Sequence, residues 1–219
     1  MGDDSQTRAQ AQPHEEAQQK LDAMATMQDA HNTQVHAEWR TQGYEYYRAI
    51  WVECAEMLDH YGWKWWKKQD ADLDQVKLEL VDIWHFALSE LIRANKLDTA
   101  IAEQLAAVPA TGGDAESFRQ SIEALAASTL STKSFEIEPF LAAMDALPLP
   151  YDELFELYIG KNVLNHFRQD HGYKTGEYQK VWQGREDNEH LVELLSELDC
   201  SPDALPDELY KGLEGRYPS

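Results

Sequence analysis

Four carboxylates raise the question of chemistry first. Glu53 and Glu56 stand three residues apart, and so do Glu79 and Asp82. On a helix that spacing puts both members of a pair on one face. If the two helices fold back antiparallel about a connection centred on Lys67 and Lys68, Glu56 comes level with Glu79 and Glu53 with Asp82. All four carboxylates then meet. Converging carboxylates repel one another unless cations lie between them, and hard cations such as magnesium take oxygen ligands. The pattern predicts a magnesium-dependent site for phosphate chemistry. A second group supplies what a carboxylate cage lacks. Lys161, Asn165 and Arg168 share one helical face, and Tyr173 and Lys180 follow. Between Lys161 and Arg185 five Lys and Arg residues stand against only Asp170 and Glu177. A triphosphate needs donors of this kind on the oxygens that a metal does not hold.

The elements that must position these groups are helical. The first carboxylate helix is expected from about Tyr44 to Tyr61, with an apolar stripe of Tyr47, Ile50, Cys54, Met57, Leu58 and Tyr61. The second is expected from about Asp72 to Asn95, with Val76, Leu80, Ile83, Ala87 and Leu91. Both acidic pairs flank their stripes, at a boundary between core and cleft. The connection between them is rich in Trp and Lys. A preceding helix from Leu21 carries Gln28 and Asn32 four residues apart, on one face. A long helix is expected over Tyr151–Asp170, stopped by Gly172, then one from about Asn188 and a short one before the end. Residues 96–149 alternate Ala-rich segments with Gly, Pro and Ser punctuation, and read as a helical insertion or subdomain with a packing role. Residues 1–19, rich in Gln, Ala and Glu, are expected to form a disordered tail. No stretch alternates as a strand. The chain is expected to be all-α, with a single catalytic domain over residues 20–219.

Composition narrows the partners. The 219 residues carry 40 acidic against 19 basic groups, a net charge of −21, which argues against nonspecific binding to nucleic acid or to an anionic membrane. No apolar run approaches the roughly 20 residues of a membrane span, and the first residues lack the basic-then-apolar pattern of a secretory signal. Cys54 and Cys200 cannot frame a chain of this length with disulfides. Cytoplasm is the expected compartment, and Cys54 is expected to be a small buried packing residue. A di-iron carboxylate bundle would need Glu-x-x-His twice on facing helices, and the chain offers only Asp82-x-x-His85. A non-enzymatic acidic binding module is the alternative from a different class.

Three segments carry a resemblance: ECAEMLDHYGWKWWK (53–67), ELVDIWHF (79–86) and GKNVLNHFRQDHGYKTGEYQKVWQGREDN (160–188). In order and spacing they resemble the all-α dimeric dUTPases, within the all-α NTP pyrophosphatase superfamily; the carboxylate pairs alone would not separate these from MazG-like pyrophosphohydrolases of other nucleotides. The resemblance implies a helical bundle that hydrolyses dUTP and dUDP to dUMP, with two or more Mg2+ ions and a homodimer sharing active sites. By position it assigns Glu53, Glu56, Glu79 and Asp82 to metal, with Glu53 also activating the attacking water. It assigns Lys161, Asn165, Arg168, Tyr173, Lys180 and Asn188 to the phosphates, and Gln28, Asn32, Trp65 and Phe86 to the nucleoside.

Overall fold

The computed structural model describes residues 4–201 and 204–218, with residues 4–13 described by backbone alone. Among the described residues the regular secondary structure is helical apart from a short antiparallel pair, in which Val181 faces Glu186 and Trp182 faces Arg185. The helices are α1 (Asp4–Val35), α2 (Tyr46–Tyr61), α3 (Leu73–Ala94), α4 (Thr99–Ala106), α5 (Ala115–Thr132), α6 (Ile137–Ala146), α7 (Tyr151–Asp170), α8 (Asp187–Glu197) and α9 (Leu205–Arg216). None is long and apolar enough to cross a membrane.

Local chemistry sets the ends of the site-bearing helices. The Asp72 side chain accepts from the Gln75 N–H and starts α3, and Asn95 ends it in the left-handed region at φ 53°. Such a residue satisfies orphan donors at the start and turns the chain at the finish. Helix α7 begins after Pro150 and stops before Gly172, whose φ of 84° suits glycine. Helices α2 and α3 pack as the expected antiparallel pair, the most extensive helix–helix contact among the described residues. Their stripes bury Ile50, Cys54 and Met57 on α2 and Val76, Leu80, Ile83 and Ala87 on α3. Each such large side chain contributes about 1.5–3 kcal/mol by leaving water. Cys54 is a packing residue, as expected, and burial pushes its thiol up to about 12.

The core has two parts. The larger is built mostly by α1 to α7 around Trp84, Phe118, Phe140 and Tyr158. The smaller gathers Phe167, Trp182, Leu191, Leu209 and Leu213 from α7, the β-pair, α8 and α9. Helices α3 and α7 contribute to both, through Leu80 and Leu78 and through Tyr158 and Leu164. Asp82 and Lys161 therefore lie on the two helices that join the cores.

The segment 96–149 holds the hairpin from outside. Helix α5 packs on α2 and α6, and α4 on α1. Arg119 on α5 donates to the Gly62 carbonyl through Nε (3.2 Å) and Nη2 (2.8 Å). The turn is further ordered by Gln69, whose Oε1 accepts from the Trp63 and Lys64 N–H groups at 3.1 and 2.8 Å.

One expectation differs from the structure. Residues 4–19, expected in a disordered tail, belong to α1. Ala17 is buried, its carbonyl accepts from the Tyr151 hydroxyl at 3.1 Å, and Lys20 pairs with Asp152 at 2.7 Å. Ala, Gln and Glu are strong helix formers, and a small residue at 17 lets α7 approach closely. Residues 1–3 lie outside the described residues.

Candidate active site

Three of the four carboxylates converge. Glu53, Glu56 and Glu79 each offer an oxygen within 4.8 Å of the other two. Glu79 is buried, Glu53 half-buried and Glu56 exposed. Asp82 departs from the expected fourfold meeting, because its Oδ2 lies 2.9 Å from the Lys161 ammonium. Lys161 is only 1% exposed, and a buried ammonium without a counter-charge is costly. Asp82 still acts on the cluster. Burial, followed by the charges of Asp82 and Glu79, pushes the Glu53 carboxyl up to about 9. Burial and Asp82 also raise Glu79, against the opposing pull of Lys161. His60, four residues after Glu56, sits 3.5 Å from Glu79 through Nε2. A set of hard oxygens that cannot all ionise without a counter-charge is a donor set suited to a divalent cation.

A cleft of about 290 Å³ opens beside this cluster, near the lower bound of small-molecule sites, roughly 300–1,000 Å³. Glu53 and Asp82 line one part of it, Phe86 borders it, and Gln28 and Asn32 line another. Arg168, Asn165 and Tyr173 come to it from α7 and the turn beyond. One cleft thus joins three groups that lie far apart in the sequence.

The amide end is tightly wired. Gln28 Nε2 donates to Ser89 Oγ (3.0 Å) and to Asn32 Oδ1 (3.2 Å), and Asn32 Nδ2 donates to the same Ser89 Oγ (2.9 Å). The Tyr158 hydroxyl, 2.8 Å from Gln28 Oε1 and 3.0 Å from the Met24 carbonyl, shares its proton between them. Its ring stacks on His85, centroids 4.1 Å apart. His85 Nδ1 lies 2.9 Å from the Val81 carbonyl, an acceptor, so this nitrogen carries the proton.

The basic end is paired internally. Arg168 donates through Nε and Nη2 to both oxygens of Asp187, at 2.8 and 2.9 Å, and through Nη1 to Asn165 at 3.1 Å. Burial alone would raise Asp187, yet Arg168 and the Tyr178 hydroxyl hold its carboxyl below the usual range. Lys161 donates to Asn188 Oδ1 at 2.8 Å as well as facing Asp82. Five of the six residues expected at the phosphates are thus gathered along the cleft or one contact behind it. Lys180 is further out, paired with Glu186 at 2.9 Å.

Trp65 is not brought to this cleft. It is 90% exposed and borders a separate depression with Lys67, Lys68 and Arg119. Sequence reasoning missed Ser89, His60, Tyr158 and Asp187. Ser89 follows Asp82 by seven residues and Phe86 by three, on the same α3 face, so periodicity carried its signal. His60 extends the Glu53–Glu56 face in the same way. Asp187 carries no such signal, because its partner lies on another helix.

A sequence model of the family described as dUTPase matches residues 20–173, a span that takes in Gln28, Asn32, all four carboxylates, Phe86, Lys161, Asn165, Arg168 and Tyr173, and leaves out Lys180 and Asn188. No curated protein sequence matches the chain.

Proposed function

Because the chain belongs to the dUTPase family, we propose that it hydrolyses dUTP, and also dUDP, to dUMP in the cleft shared by α1, α2, α3 and α7. The observation that carries this reading is the meeting, in one cleft, of the Gln28–Asn32 amides, the acidic groups Glu53 and Asp82, and the Arg168 guanidinium.

The donor chemistry of Glu53, Glu56 and Glu79, hard oxygens with a crowded charge, fits Mg2+. These three would hold two or more ions with Asp82 as the fourth carboxylate. Bound magnesium lowers the pKa of coordinated water and screens charge on the phosphates. Glu53, in its ionised form, orients the attacking water and accepts its proton. Arg168, Lys161, Asn165, Tyr173, Lys180 and Asn188 hold phosphate oxygens. Arg168 is fixed for this by Asp187, and of its five N–H groups the contacts to Asp187, Asn165 and Asn188 leave one Nη1 hydrogen for a ligand. Phe86 packs near the deoxyribose, where a 2′-hydroxyl is disfavoured. Gln28 and Asn32 read uracil, since amides matched to its O4 and N3–H leave a mismatched base with unpaired buried groups. Trp65 joins the nucleoside only by closure of its turn or across a homodimer that shares active sites, which sedimentation velocity checks.

The deciding assay incubates the protein with each deoxynucleoside triphosphate, with magnesium or with EDTA, and identifies products. Magnesium-dependent release of dUMP and pyrophosphate from dUTP is expected. Equal turnover of dCTP or dTTP would remove the uracil assignment and favour a MazG-like activity, and no turnover of any substrate would favour the acidic binding module.

A further inference from the structure

We propose that Ser89 is the positioning residue for base selectivity, its single hydroxyl fixing which way the Gln28–Asn32 amide pair faces. The proposal rests on the reading that these amides meet the base.

Ser89 lies on α3 and is 1% exposed. Its hydroxyl donates to the His85 carbonyl one turn earlier, at 2.9 Å, a back-bond usual for serine within helices. A hydroxyl has one proton and two lone pairs. With the proton directed to His85, Oγ accepts from Gln28 Nε2 (3.0 Å) and Asn32 Nδ2 (2.9 Å), and the Tyr46 hydroxyl, also on the cleft, stands beside the same group. An amide has two nearly isosteric orientations, and here the hydroxyl separates them. Turning Asn32 over would set its Oδ1 against an acceptor 2.9 Å away, and its Nδ2 against Gln28 Nε2 at 3.2 Å. Both contacts would be repulsive.

The fixed orientation leaves Asn32 with one N–H and one carbonyl lone pair unspent, on a residue that lines the cleft. That is a defined donor–acceptor pair. Uracil offers an acceptor at O4 beside a donor at N3, and cytosine offers the reverse. A free amide would turn over and serve either base. An amide locked by Ser89 serves one, so discrimination between uracil and cytosine originates in a residue that need not touch the base.

The test compares kcat/KM for dUTP and dCTP in the full chain. Ser89→Ala is expected to lower the dUTP:dCTP ratio at least ~10-fold, about the worth of one lost buried hydrogen bond. Ser89→Thr retains the hydroxyl and its back-bond and is expected to return most of the ratio. Should the alanine variant not fold, Ser89→Cys, close in size but a weak acceptor, is expected to lower the ratio in the same direction. A purely structural residue would depress both substrates alike, and an unchanged ratio in the folded variants would overturn the proposal. Failure of the underlying reading looks different: the unsubstituted protein would itself show no preference for dUTP, and the role of Ser89 would fall with it.

Discussion

Replacing Glu53 by Gln is expected to make the metal-free protein more stable while removing most of its turnover. The reasoning starts from the Glu53 carboxyl, raised from an ordinary 4.5 to about 9 by burial and by Asp82 and Glu79. Between those pH values the folded chain keeps a proton that the unfolded chain has released. Stability therefore falls as pH rises through this window, and the loss is absent below pH 4.5. At pH 7 the cost is about 3 kcal/mol, from ~1.36 kcal/mol per pH unit above the unfolded value. Glu53 borders an open cleft, and solvent screening brings a realistic figure to about 2 kcal/mol. For a chain of this size that corresponds to a Tm higher by roughly 4–8 °C in Glu53→Gln. The measurement is differential scanning calorimetry in EDTA from pH 5 to pH 9. The two proteins should melt together near pH 5 and separate progressively toward pH 9. Saturating magnesium should reverse the order, because binding at ~100 times Kd adds about 2.7 kcal/mol to the wild type, and the variant lacks one ligand. Turnover in the variant should fall by ~10²–10⁴, the usual worth of a general base. A Gln variant less stable than wild type at pH 8 in EDTA, or a Tm difference that does not depend on pH, would refute the crowded-carboxylate account.

Three further outcomes are expected. Lys161→Met leaves Asp82 without its partner at 2.9 Å and Asn188 Oδ1 with only the longer Arg168 Nη2 contact at 3.4 Å; a loss of about 2–3 kcal/mol in urea unfolding follows from breaking a largely buried pair, together with a raised KM for dUTP. Gly62→Ala meets two obstacles, a φ of 90° and a Cβ placed 2.9 Å from Gln69 Cβ; about 2 kcal/mol of destabilisation is expected, read as a lower urea midpoint with unchanged m. Trp65→Ala should leave Tm unchanged, since the side chain is 90% exposed, and should raise the KM for dUTP several-fold if the turn or a second copy brings it to the base; an unchanged KM places Trp65 outside the site.

Much of the fold was legible because its helices carry their own boundaries and stripes. The expected α7 over Tyr151–Asp170 is the observed one, and α3 differs only in that Asp72 and Asn95 are its caps. The mirror spacing of the two acidic pairs correctly implied a hairpin, because helices of equal rise keep level when they run antiparallel. What differs is the state of residues 4–19, which belong to α1. Low hydrophobicity suggested disorder, but Ala17 and Lys20 find partners on α7, more than a hundred residues away. Composition within a segment holds no trace of such a partner.

The site was legible along each helix and illegible between helices, and Asp82 shows why. Spacing puts Asp82 on the α3 face with Glu79 and makes it equivalent to the other carboxylates. In the folded chain it is the carboxylate nearest Lys161, which is 1% exposed. An ammonium taken from water loses several kcal/mol of hydration, far more than the one or so that a partly exposed carboxylate gains from any single neighbour. The buried cation therefore decides the pairing: Asp82 Oδ2 lies 2.9 Å from the Lys161 ammonium, while its charge still raises Glu53 and Glu79. The same inequality acts at Asp187, fully buried and drawn to Arg168. Ser89 follows a related logic, since one buried hydroxyl with its proton already committed leaves two amides no choice of orientation. In each case the deciding quantity is the burial of one polar group, which exists only once the helices have met. Sequence spacing says which groups share a face; the group with most to lose by standing unpaired determines what that face is bound to.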